Sequence, residues 1–185
     1  MQLFDLSGII QTHNLVYMAI APITCVIVKQ VYNQQKSMKR SEQLAPLSRE
    51  HHQSLVLAKK CIDISHSNDK ALITAQCQLI VRTFDVIWES HFTIEEHTLF
   101  PLASSYNNQL KFLCDDLIKQ HRSLRDIKQQ MQQGNYSNLQ SFGSILKTHT
   151  RTEERELFPK VEQLFSNADL NAVLRASSER NSQNT

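Results

Sequence analysis

Apolar residues between Pro46 and Phe165 recur every three or four positions, the spacing that gathers them on one face of an α-helix. Breaks rich in Ser, Asn and Gly interrupt the pattern at SHSND, SSYNN and QGNYSN and divide it into four segments. The spacing predicts helices over residues 48–64, 70–103, 109–133 and 139–165, with Gly134 placed to cap the third. Short connections force successive helices to run antiparallel. The predicted fold class is therefore all-α, an antiparallel up-and-down four-helix bundle over residues 46–166.

Residues 1–45 follow a different pattern and read as an N-terminal extension. The stretch 6–28 carries no formal charge and contains the apolar run LVYMAIAPITCVIV, closed by Lys29. A membrane span needs about 20 mainly apolar residues, and this stretch reaches that length only by including Gln11, Thr12, His13 and Asn14. A packing helix or dimer contact is the favoured reading of residues 15–28, and membrane contact the less favoured one. In an anchored protein the Lys36, Lys39 and Arg40 cluster would keep the following domain cytoplasmic. A cleaved signal peptide fits worse, because Asp5 and no positive residue precedes the apolar run. Met38 is an alternative start that would open a compact domain with an ordinary polar leader. Beyond the bundle, residues 167–185 read as a polar tail, expected to be disordered.

The full chain, 185 residues and 21.4 kDa, suffices for one domain with sequence to spare. Its 41% apolar content and three glycines exclude a disordered polymer and a turn-rich β protein. Twenty basic against eighteen acidic residues leave a net charge of +2, which gives no electrostatic ground for a nucleic-acid partner. Cys25, Cys61, Cys77 and Cys114 show no CxxC spacing, so neither a zinc ribbon nor a disulfide framework is suggested, and a reducing, cytoplasmic setting is expected. Cys61 and Cys77 fall on helical faces as buried thiols. The unusual count is histidine, at eight.

Two of those histidines open an internal repeat, HFTIEEHTLFP at 91–101 and HTRTEERELFP at 149–159, with six of eleven positions identical. The identities are of the metal-ligand kind: His, Glu four later, a second Glu, then LFP. On a helix, i and i+4 share a face, so His91 pairs with Glu95 and His149 with Glu153. Phe142, Ile145, Leu146, Leu157, Val161 and Leu164 flank the second pair at helical spacing, and Phe84, Ile87, Trp88 and Leu99 flank the first. Both pairs therefore interrupt apolar seams and face the core. His121 lies on the seam Leu113, Leu117, Leu124, Met131; His51 lies on that of Leu47, Ala58, Cys61 and Ile62, with His52 turned away.

Two core carboxylates are costly unless paired, protonated or bound to a cation. Six inward polar residues, drawn from all four helices, are hard to account for as packing. They fit a metal site of His51, His91, Glu95, His121, His149 and Glu153. If each carboxylate bridges, two ions each receive two nitrogens and two oxygens and keep positions open for small ligands. Such donors suit iron, manganese or zinc. Glu96, Glu154 and His97 sit about 100° or more around the helix from the ligand face, where Glu96 and Glu154 are placed to orient an imidazole. His13, His66 and Asp126 lie off the seams; Pro101 and Pro159 mark a kink or restart just past the ligands; Trp88 and Phe92 read as core.

Through LSREHHQSL, HFTIEEHTLFP, KQHRSL and HTRTEERELFP, residues 46–166 resemble the hemerythrin-like, or HHE cation-binding, domain family. The resemblance implies a bundle holding two iron ions, a non-haem di-iron centre, with those six residues as ligands and Glu95 and Glu153 bridging. The set departs from that of the oxygen-carrying hemerythrins, which includes His-x-x-x-His on the third helix and His-x-x-x-x-Asp on the fourth. It is closer to hemerythrin-like proteins implicated in iron-centre repair and nitric-oxide stress, although their cysteine-bearing N-terminal domain has no counterpart here. The resulting expectation is a module that binds or senses oxygen or nitric oxide, or holds iron. A redox enzyme acting through the same centre is the alternative.

Overall fold

The structure is a computed structural model and describes residues 40–183, with side chains described for 40–179. The apolar segment 15–28 and the alternative start at Met38 lie outside the described residues. Five helices follow one another: α1 at Ala45–His66, α2 over 70–106, α3 at Asn108–Gln132, α4 over 139–164 and α5 at Asn167–Gln183. No described helix is long and apolar enough to cross a membrane.

Local chemistry sets the breaks. Asp69 begins α2 by accepting from the backbone N–H groups of Ala71 and Leu72 (2.9 and 3.1 Å), after Asn68 turns the chain at a φ of 57°. Asn107 begins α3 by accepting from Leu110 N–H at 2.9 Å. Gly134, at a φ of 85°, ends α3: its N–H reaches Met131 O and that of Asn135 reaches Gln130 O, both at 3.0 Å.

Neither repeat-bearing helix is uniformly α. In α2, π turns at Asp85–Glu89 and Glu95–Leu99 flank a short α segment, and α4 has one at Glu153–Leu157. The bond closing the second π turn runs from Phe100 N–H to Glu95 O, and its repeat from Phe158 N–H to Glu153 O. A proline opens the α-helix that resumes after each, where its missing N–H is tolerated. Pro159 has no N–H to give the Glu154 carbonyl, which accepts instead from Arg40 Nη2 at 3.1 Å. A π turn adds a residue and advances the helix phase. The periodicity placed Ile87 and Trp88 in the first seam and Val161 and Leu164 in the second; Trp88 and Val161 are buried there, whereas Ile87 and Leu164 are exposed.

The core is two apolar clusters with the polar layer between them. Ala58, Cys61, Phe84, Phe92, Leu124, Phe142 and Leu146 belong to one; Leu47, Leu99, Leu117, Leu157, Phe158 and Val161 belong to the other. Gly143 lets α4 lie close to α1, since a Cβ there would stand 2.7 Å from Ala58 O. The second cluster is completed by two segments assigned outside the bundle on sequence. Leu44 is buried in it, and Arg40 and Ser41 are tied to Glu162 at 2.8 and 2.7 Å, so the domain starts by residue 40 rather than 46. Residues 167–183 are helical rather than a disordered tail: Leu170 and Val173 pack into the same cluster. The start of α5 is a reciprocal cap in which Ser166 N–H donates to Asp169 Oδ2 and Asp169 N–H to Ser166 Oγ (3.0 and 3.2 Å).

Candidate metal centre

One residue from α1, two from α2, one from α3 and two from α4 meet between the apolar clusters: His51, His91, Glu95, His121, His149 and Glu153, each at most 1% exposed. They form two sets that share both glutamates. The first is His51, His91, Glu95 and Glu153; the second is Glu95, His121, His149 and Glu153; within each, one donor atom per residue lies within 4.8 Å of the others. His51 Nε2 is 3.1 Å from Glu153 and 3.6 Å from Glu95; His91 Nε2 is 3.0 Å from Glu95. On the other side His121 Nε2 is 3.3 Å from Glu95, and His149 Nε2 is 3.2 Å from Glu153.

These distances are short, yet all four oxygens of Glu95 and Glu153, and His51 Nε2, lack a hydrogen-bond partner among the described residues. Their lone pairs converge on shared points instead of matching donors to acceptors, the arrangement of a cation site. The far side of the rings agrees. Nδ1 of His51 contacts Glu154 Oε1, that of His91 contacts Glu50 Oε2 and that of His121 contacts Glu96 Oε1, each at 2.7 Å. A carboxylate can only accept, so Nδ1 carries a proton and Nε2 is the nitrogen turned to the centre, bare once its own proton has left. His121 Nε2 lies 3.1 Å from His149 Nε2, a separation at which two lone pairs call for a bound cation or a proton between them.

The oxygens on Nδ1 are themselves held. Arg40 binds Glu154 at 2.8 Å and lies over the ring of Phe158, which stacks on His51. Arg125 binds Glu96 and Glu89, each at 2.8 Å, and lies over Phe92, which stacks on His121 at 3.8 Å. These hydrogen bonds hold Glu96 and Glu154 down at about 2 against the opposing effect of burial.

Burial disfavours charge on every ring, but for three of them the carboxylates outweigh it. His91 is raised to about 9 by Glu95 and Glu50, and His51 and His121 are raised as well. His149 is lowered, because burial wins there. Burial likewise opposes charge on Glu95 and Glu153, and the surrounding imidazoles hold both below the usual carboxylate range. Without metal the centre thus balances its carboxylates with protons; with metal those protons leave.

Of the residues that the sequence placed off the ligand face, His52, His66, His97 and Asp126 are exposed, while Glu96 and Glu154 orient imidazoles. Glu50 has a role that the sequence did not disclose. It adjoins His51 in sequence but serves His91 on another helix, a pairing that only the packing of α1 on α2 creates. The free thiols of Cys61, Cys77 and Cys114 are buried, with burial pushing the Cys61 thiol up to about 12.

A helical bundle with interlocked His and Glu sets at its middle defines a cation-binding all-α protein. The family model of the hemerythrin HHE cation binding domain matches residues 42–161, and the chain belongs to that family. No curated protein and no solved structure matches the chain.

Proposed function

We propose that the chain is a non-haem di-iron protein that binds or senses a small diatomic ligand, oxygen or nitric oxide, or holds iron. The observation that carries this reading is the sharing of Glu95 and Glu153 by both donor sets. One ion would take His51 and His91, the other His121 and His149, with both carboxylates common to the two. Each ion would then receive two nitrogens and two oxygens, and positions would remain for a small molecule. Iron, when bound, supplies a redox-active Lewis acid. The chain's own residues fix the imidazoles by Nδ1, and Phe92, Phe100 and Phe158 stacked on His121 and His51 wall the centre with apolar surface. Such walls favour small, uncharged ligands. A cavity of about 370 Å³ lined by Leu55, Lys59, Ile62, Asp63, Lys147 and Arg151 includes none of the six donors, so it offers no substrate pocket at the centre.

Titration of the iron-loaded chain with nitric oxide, followed by its optical spectrum, tests the reading. A spectral change that saturates at a fixed stoichiometry per chain is expected. Sustained catalytic consumption of nitric oxide or peroxide would establish the redox enzyme instead.

A further inference from the structure

The two halves of the centre are related by an approximate two-fold symmetry that the sequence states directly: Glu50-His51 on α1 corresponds to Gln120-His121 on α3, and the block at 91–101 corresponds to that at 149–159. In the first half Glu50, from the helix that supplies His51, reaches across to Nδ1 of His91 at 2.7 Å. The symmetric contact in the second half would join Gln120 to Nδ1 of His149. There the sequence has exchanged a carboxylate for a neutral amide, and the contact is missing. Gln120 Nε2 donates to Asp116 Oδ2 at 2.9 Å; Gln120 Oε1 and His149 Nδ1 are both buried with no hydrogen-bond partner among the described residues.

We infer that Gln120 sets an inequality between the two cation positions, so that the position of His121 and His149 holds its ion more weakly and exchanges it first. This rests on the di-metal reading above. A carboxylate on Nδ1–H fixes the ring and makes Nε2 a stronger donor, and losing such a support costs roughly 10 to 100-fold in metal affinity. His51, His91 and His121 have that support, and His149 does not. Gln120 is thus a positioning residue that acts through His149. Two otherwise similar donor sets become a firmly held ion beside a labile one, which suits a centre that gives up or takes in a single ion.

The test is anaerobic titration of the full metal-free chain with Fe(II), read by native mass spectrometry, and removal of the ions by a chelator followed in time. Wild type should load one ion before the second, with affinities differing roughly 10 to 100-fold, and lose them in two phases. Gln120→Glu, made with Asp116→Asn to remove the like charge one turn away, should tighten the second ion at least about tenfold and merge the phases. Glu50→Gln should instead loosen the first ion to the level of the second. Simultaneous loading of two equal ions by wild type, or an unchanged spacing in the Gln120→Glu chain, would overturn the inference while leaving the di-metal reading intact. A chain that takes up no ion would overturn both.

Discussion

The half of the centre built on His51 and His91 and the half built on His121 and His149 offer the same donor atoms to the same two glutamates, yet they are supported differently. Carboxylates hold both rings of the first half, from Glu154 and Glu50, but only one ring of the second, from Glu96. The difference shows that ligands and their supports are specified separately. The His and Glu of each repeat lie within one helix, four residues apart, so a repeated segment carries them. The supports cross between helices, and a repeat can keep its donors while a single amide on a neighbouring helix changes how one is held.

The comparison is broken most completely by removing what the halves share. Glu95→Ala or Glu153→Ala takes one oxygen from each ion, and both ions should be lost, as elemental analysis of the purified variants would show. Glu156 is exposed and in no position to replace Glu153. Two-ion occupancy in Glu153→Ala would disprove bridging. Smaller and confined to one half is the effect expected of the supports: Glu154→Gln should weaken the His51 position, and Glu96→Gln the His121 position, by roughly 10 to 100-fold each in metal titrations.

A smaller consequence concerns stability rather than affinity. Ending the chain after Ser166 removes Leu170 and Val173 from the core cluster. At about 1.5–3 kcal/mol per buried aliphatic side chain, the loss should be about 3–6 kcal/mol, visible as a lower urea midpoint. The ratio of the two metal affinities should stay unchanged, because the described side chains of α5 supply no donor or support.

Without metal the stability of the chain should also respond to pH. His91 is raised above its unfolded value to about 9, so its stabilising effect is full below about 6.5 and fades as pH climbs through 9. Glu96 and Glu154 are depressed to about 2, so theirs is present above about 4.5 and is lost as pH falls through 2. Urea midpoints of the metal-free chain should therefore fall on both sides of a plateau between about 4.5 and 6.5. A His91→Gln chain should show a shallower alkaline decline, the part due to His51 and His121 remaining, and keep the acid one.

The helix boundaries and the burial of the six inward His and Glu side chains were legible in the sequence for physical reasons. Asn107 and Gly134 cap locally, and a His and a Glu one turn apart within an apolar seam are too costly to bury unless something binds them. What escaped was non-local or out of phase. Glu50 is adjacent to His51 but acts on His91, and nothing within its own helix marks that partner. Ile87 lies inside a π turn and Leu164 at the last residue of α4, two places where a pattern that assumes a regular, continuing helix assigns the buried face poorly. The fifth helix was hidden by the polar residues 175–185, although Ser166 and Asp169 form a capping pair ahead of Leu170 and Val173, a sparse but readable signal.

The central claim, two cations held by one set of shared glutamates, is tested most directly by the metal content and optical spectrum of the purified chain after anaerobic loading with iron and exposure to air. The account predicts close to two iron atoms per chain and ligand-to-iron charge-transfer absorption. One zinc atom per chain that iron does not replace, with no such absorption, would contradict it.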